Sequence, residues 1–369
     1  MTEPSRVLTR RELNRTLLAR QGLRERVGRP AREMIEHLAG MNGQFATGPY
    51  IGLWNRLMGF ERDELTQLLR GRHVVRATLM RGTIHLVTDT DYLLFAPALR
   101  PVLERGFRGY FAQEGRTLDI DALVSRSQKL LDQAPLSRPE MERALADLEP
   151  DAREGSRAFA VRAHLPLVQV PPAGEWESRG EVRYTLAEAW IGRPLGEPEA
   201  GQEHIVHRYL TAFGPASLAD IGAWSGLSRL RAVLDRLAPQ LRTFTDEAGG
   251  TLYDVADGTL GDADDAAPAR LLPDYDNVLF AHKDRTRVLP EEYRGTVVPT
   301  GRRMPGTFLV DGFVAGTWRI ECTGTLAALH LAPFGRLRRP ARDELVQEAE
   351  RLVRFAEPDA ARHEVRLPS

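Results

Sequence analysis

The chain has 369 residues and a formal net charge of −1, with 42% hydrophobic and 27% charged side chains, the balance of an ordinary globular protein of two or three domains or one large composite unit. No apolar run approaches the roughly 18 residues of a membrane span, and the first residues lack the apolar core of a signal peptide, so a cytoplasmic location is expected. Cys322 is alone, which excludes a disulfide framework and a cysteine-rich metal site.

In chain order, Thr9-Arg10-Arg11-Glu12 has the form of a capping box opening a helix with Leu13, Leu17 and Leu18 as its buried stripe. Pro30 sits in the first turn of a second helix, expected to end near Asn42, where Asn followed by Gly favours a C-cap. Two amides, Asn42 and Gln44, interrupt the apolar stripe there, just before the turn at Gly48-Pro49. Short helices over 49–60 and 63–70 precede a hairpin: strands at 73–80 and 83–87 about an Arg81-Gly82 turn. Short helices closed by a hairpin are the outline of a winged helix.

A similar outline follows, with a helix over 118–133, a second capping box at Ser137-Arg138-Pro139-Glu140, a stretch at 158–170 open between helix and strand, and a strand near 182–185. The third is the clearest. A helix over 202–213 leads to two short amphipathic helices joined through Ser225-Gly226-Leu227, in helix-turn-helix proportions, and then to a hairpin about Gly249-Gly250. Past the acidic, small-residue linker at 256–268 the texture turns to short strands over 270–289, then a hairpin about Asp311-Gly312, a helix over 342–355 and a closing strand at 364–367. The expected class is α+β, with regions at 1–110, 111–200, 201–260 and 261–369.

Together these stretches resemble the AlkZ/YcaQ family of tandem winged-helix DNA glycosylases. The resemblance rests on Gly40-Met41-Asn42-Gly43-Gln44, Pro49-Tyr50-Ile51-Gly52-Leu53-Trp54, the run from Leu79 to Val87, the block Leu272-Pro273-Asp274-Tyr275-Asp276-Asn277, and Phe308-Leu309-Val310-Asp311-Gly312. These occur in the family's order across about residues 8 to 355. The family carries Gln-x-Gln or Gln-x-Asp, with a usually apolar middle residue; this chain has Asn-Gly-Gln. The resemblance implies three tandem winged-helix motifs and an additional small β-rich element towards the C-terminus, arranged around a DNA-binding cleft, with Gln44 and Asn42 as catalytic residues.

The resemblance further implies a substrate: double-stranded DNA carrying bulky N7-alkylated purines or interstrand crosslinks, as in self-resistance to a DNA-alkylating natural product. An N7-alkylguanine is cationic and leaves without a strong general acid. The Gln44 carbonyl then needs only to orient a water under C1′, with Asn42 as second anchor. A lyase would need an amine, and only two of the 50 basic residues are lysines. Lys129 reads as solvated and Lys283 as a phosphate contact, so a monofunctional, cofactor-free, metal-free and monomeric enzyme is expected, nucleoid-associated when bound to DNA. The basic stretch His282, Lys283, Arg285 and Arg287, with Arg302 and Arg303, is the candidate DNA contact. The resemblance places Arg76, Arg81 and His85 on the same cleft, with His85 in a structural role. No stacked aromatic cluster is evident near residue 44; Phe45, Tyr50 and Trp54 read as core. A winged-helix protein that binds DNA or a lesion without cutting it, or a regulator, is the second reading, and it rests on Asn42.

Overall fold

Thr9 and Glu12 close the expected capping box on the first helix, Arg10–Arg20, whose apolar stripe of Leu13, Leu17 and Leu18 is buried. The computed structural model describes residues 6–301 and 303–368. Arginines on this helix and just beyond it reach acids far along the chain. Arg20 pairs with Asp254, Arg24 with Asp265, and Arg11 and Arg15 with Asp311. The Arg15 Nε also donates to the Asp265 carbonyl, so the expected linker at 256–268 is fastened to the N-terminal helix.

The second helix, Ala31–His37, stops five residues short of Asn42. Ala39 and Gly40 take positive φ of 56° and 88°, and the Gly40 N–H returns to the Ile35 carbonyl, which ends the helix in a left-handed turn. A Cβ on Gly40 would lie 2.5 Å from the Val87 side chain, so glycine is required on both counts. Asn42 is therefore not a helix cap. It belongs to a short strand, Met41–Asn42, paired antiparallel with Leu86 and His85.

That strand edges a six-stranded sheet. It lies beside Ile84–Thr88, followed by Val74–Thr78, Leu167–Gln169, Arg183–Leu186 and Leu136–Ser137. The expected first hairpin is present, with Arg81 left-handed at its turn, and the stretch open at 158–170 resolves into a helix, Ser156–His164, and a strand. Arg76 pairs with Gln169, so one sheet runs across the expected boundary at 110. The helix-turn-helix is formed by Leu218–Ser225 and Leu230–Leu237, with Gly226 left-handed between them; its hairpin, Leu241–Asp246 with Thr251–Val255, takes Val7–Leu8 as a third, parallel strand. The main core lies where Pro198–Phe213 packs on Asp89–Tyr110.

The C-terminal part is a five-stranded sheet covered by the helix Arg339–Ala356. Of the strands expected over 270–289 only Arg270–Leu272 forms. Residues 273–289 instead run as a loop with two 3₁₀ turns, Asn277–Leu279 and Arg285–Arg287, because this segment packs on the N-terminal region rather than on a neighbouring strand. No helix among the described residues is long and apolar enough to cross a membrane.

The N-terminal region and the segment 271–276 meet through the helix Thr47–Arg56. The Arg56 guanidinium makes a two-pronged ion pair with Asp276, both contacts 2.9 Å, with each side chain only 2% exposed. Asn55 donates to the Leu271 carbonyl at 2.7 Å. Removing one partner of such a pair leaves a buried unpaired charge. Arg56→Met should cost about 3–5 kcal/mol in urea unfolding, whereas Arg56→Met combined with Asp276→Leu should recover most of it. A single variant as stable as the parent would show that the pair does not hold the two together.

Candidate active site

Asn42 and Gln44 stand on either side of Gly43, whose N–H bonds the Ile84 carbonyl. The Asn42 Oδ1 accepts the Gln44 backbone N–H at 2.9 Å, an Asx turn that only a side chain of this length closes readily. Arg76 secures the other side, donating from Nε to the Gly43 carbonyl at 3.0 Å and from Nη2 towards the Gln44 carbonyl at 3.5 Å. The Gln44 backbone is thus fixed while its side chain is exposed and has no hydrogen-bond partner among the described residues.

The Leu272–Asn277 block, more than two hundred residues further on, closes over this turn. The Asn277 Nδ2 bonds the Gly40 carbonyl at 2.9 Å, and Asp276 takes Arg56. Pro273 lies against Gly52, where a Cβ would come within 2.4 Å of the Met41 methyl. Together Asn42, Gly48, Asp274 and Tyr275 line one small concavity. Asp274 is held by Arg303 at 2.6 Å, yet burial still pushes its carboxyl above the ordinary carboxylate value.

An aromatic ladder flanks the turn. Phe45 stacks on Tyr275 at 5.8 Å, Tyr275 on Phe280 at 6.1 Å, and the ends are covered by Arg303 over Phe45 at 3.7 Å and Arg285 over Phe280 at 4.8 Å. All three rings are only partly buried. The expectation that no stacked cluster lies near residue 44 is corrected here: Phe45 is not simply core, because its partners come from the distant loop. Tyr50 is core, fully buried, and Trp54 packs on Phe355.

The remaining expected site residues divide sharply. Lys283 is exposed, and Arg285 and Arg303 reach the surface beside the ladder; Arg302 lies outside the described residues. His282 and Arg287 face inward, where both bond the Phe213 carbonyl and Arg287 also bonds that of Pro215. Arg76 is buried in the support of the turn. Arg81 donates to the Trp224 carbonyl, tying the first hairpin to the helix-turn-helix, and burial lowers it to about 10. His85 is fully buried, bonded through Nδ1 to the Thr83 carbonyl, while its Nε2 has no partner among the described residues. Lys129 is exposed. No cluster of metal-ligating side chains occurs among the described residues.

The model of the AlkZ-like DNA glycosylase family matches residues 35–355. An interstrand DNA cross-link repair glycosylase from Streptomyces sahachiroi is 24% identical over 330 residues, covering 82% of this chain and 85% of that protein. The solved structure of the Streptomyces sahachiroi DNA glycosylase AlkZ superposes with a TM-score of 0.80 at 19% identity, over 98% of this chain and 100% of that one.

Burial pushes both His85 and His282 down to about 3 from an ordinary value of 6.5, helped by the nearby charges of Arg81 and Arg287 respectively. Both are therefore neutral at working pH and unsuited to proton transfer. Between pH 6.5 and about 3 the unfolded chain binds protons that the folded chain refuses, so stability is complete above 6.5 and is lost as pH falls through that window. Urea midpoints measured from pH 7 to pH 4 should fall, and the fall should be shallower in a His85→Gln variant; identical slopes would place the His85 titration elsewhere.

Proposed function

The chain belongs to the AlkZ-like family of DNA glycosylases, and we propose that within it this protein is a monofunctional enzyme acting on bulky N7-alkylated purines in double-stranded DNA, interstrand crosslinks included. The observation that carries this reading is the Gln44 side chain, free and exposed on a turn whose backbone is bonded from both sides. A neutral amide cannot deprotonate water near neutral pH, but its carbonyl oxygen can hold one beneath C1′ while the cationic purine departs. The amide dipole then stabilises the positive sugar, which a preorganised turn does without rearranging.

Asn42 acts mainly by position. Its oxygen is committed to the Gln44 N–H, which fixes where Gln44 points and leaves Nδ2 as the second anchor. This supports an active Asn-Gly-Gln turn: the shorter side chain closes an Asx turn that a glutamine does not readily form. Neither Lys129 nor Lys283 lines the concavity beside Asn42, which favours hydrolysis over lyase chemistry.

The Phe45–Tyr275–Phe280 ladder offers a stacking surface for a purine or its adduct beside an open turn, suited to lesions too large for a closed pocket. Lys283, Arg285, Arg302 and Arg303 are the proposed backbone contacts; His282, Arg287, Arg76, Arg81 and His85 serve from the interior, by holding the surfaces that meet DNA. The cross-link repair activity in the relative's name fits this substrate class, and self-resistance to a DNA-alkylating natural product is the setting proposed for it.

Duplex DNA carrying N7-methylguanine or an N7-linked crosslink should yield alkali-sensitive abasic sites. Gln44→Ala should lower excision at least about 100-fold, on the scale of losing one transition-state-stabilising amide, and Asn42→Ala about tenfold. Borohydride should trap no protein–DNA adduct. DNA binding without strand scission would favour the binding-only reading, and an unchanged Gln44→Ala rate would move the site elsewhere.

A further inference from the structure

A second cavity, of about 140 Å³, opens between the helices Asp89–Tyr110 and Ser156–His164 and the strands Leu167–Gln169 and Arg183–Leu186. That is room for one aromatic ring, as in an apolar cavity that takes benzene, and the cavity is open on one side. Leu103, Leu165, Leu167 and Leu195 make its walls apolar. Among them lies Arg162, whose guanidinium has no carboxylate and no hydrogen-bond acceptor among the described residues, and whose Nε is sealed from water. It rests only against the rings of Tyr184, at 5.2 Å, and Phe159, at 5.6 Å, and its charged neighbour is another cation, Arg138. On the same helix Arg157 has the usual answer, a 2.6 Å ion pair with Glu142. A cation left unpaired in an apolar wall is costly, and a bound anion would offset that cost.

A second donor belongs to the same wall. Arg76 donates to the Gln169 Oε1, which turns the Gln169 amide so that its Nε2 donates to the Tyr184 hydroxyl oxygen at 3.3 Å. With that oxygen accepting, the Tyr184 O–H is left to donate onward, and Tyr184 lines the cavity. The Thr78 hydroxyl, also on the wall, has no partner among the described residues.

We propose that this cavity binds a small apolar monoanion, an aryl or branched-alkyl carboxylate, with its carboxylate on Arg162 and the Tyr184 hydroxyl and its apolar body against the leucines. A multiply charged phosphate would gain too little from leucine walls to shed its water, and a neutral molecule would leave Arg162 unpaired. The site is independent of the glycosylase reading, although the two are joined: the Arg76 that orients Gln169 also holds the Gly43 carbonyl of the amide turn.

The test is isothermal titration of the full chain with 1-naphthoate and with its neutral counterpart 1-naphthalenemethanol. The acid should bind once per chain and at least about tenfold more tightly than the alcohol, the scale of a hydrogen bond to a charged group. Arg162→Met should weaken naphthoate by about tenfold or more and leave the alcohol unchanged. Tyr184→Phe, which keeps the ring packing, should weaken naphthoate severalfold and carries the comparison should Arg162→Met fail to fold. No saturable naphthoate binding at millimolar concentration, or undiminished naphthoate affinity in either folded variant, would overturn the proposal.

Discussion

The ion pair between Arg56 and Asp276 is the constraint on which the candidate site depends. A catalytic amide must be exposed to meet DNA yet fixed in direction, and a surface turn alone supplies only the first. Here the turn is followed at once by the helix Thr47–Arg56, and that helix ends in a charge that Asp276 neutralises. Arg56 also reaches the Gly52 carbonyl and Gln21, so one guanidinium fastens the helix, the far loop and the end of the first helix. Its Nε has no partner among the described residues, the mark of an arrangement that serves geometry more than stability. With Asp276 held there, its neighbours in the block fall onto Gly40, Gly48, Phe45 and Gly52 in turn.

Charge is distributed on the same principle. The arginine-rich N-terminal region is compatible with a nucleic-acid surface by composition, but many of its arginines are paired with acids of the same chain. Arg11, Arg15, Arg20, Arg24 and Arg26 meet acids from beyond residue 250, which joins the basic beginning of the chain to its acidic later stretch. Local net charge therefore says little about DNA contact here. The cations that remain near the surface at the site are those beside the aromatic ladder, where Arg285 and Arg303 lie over ring faces.

Features set by neighbouring residues were legible in the sequence. The capping boxes at Thr9 and Ser137, the first hairpin and the helix-turn-helix all appear, because each is determined by side chains within a few positions. Asn42 and Gln44 also stand out there, as amides breaking an apolar stripe. What was hidden depends on contacts across the chain. The ladder joins Phe45 to Tyr275 and Phe280, and no local pattern marks rings that far apart. The irregular course of 273–289 looks strand-like because its apolar residues face a partner region rather than a sheet. The stop at His37 was missed because Ala39, a good helix former, is forced into a left-handed conformation ahead of Gly40. The strand Leu326–Pro333 carries few β-branched residues and is stabilised by partners on both sides.

The central claim is that Gln44, held by the Asx turn and the Arg76 contacts, places the attacking water. A structure of the protein with duplex DNA containing a cationic 1′-aza sugar, an analogue of the departing-base transition state, tests it most directly. The account predicts the Gln44 carbonyl oxygen within hydrogen-bond reach of a water beneath the 1′ position, with the Asn42–Gln44 turn unchanged. A 1′ position out of reach of Gln44, or one approached by another side chain, would contradict it.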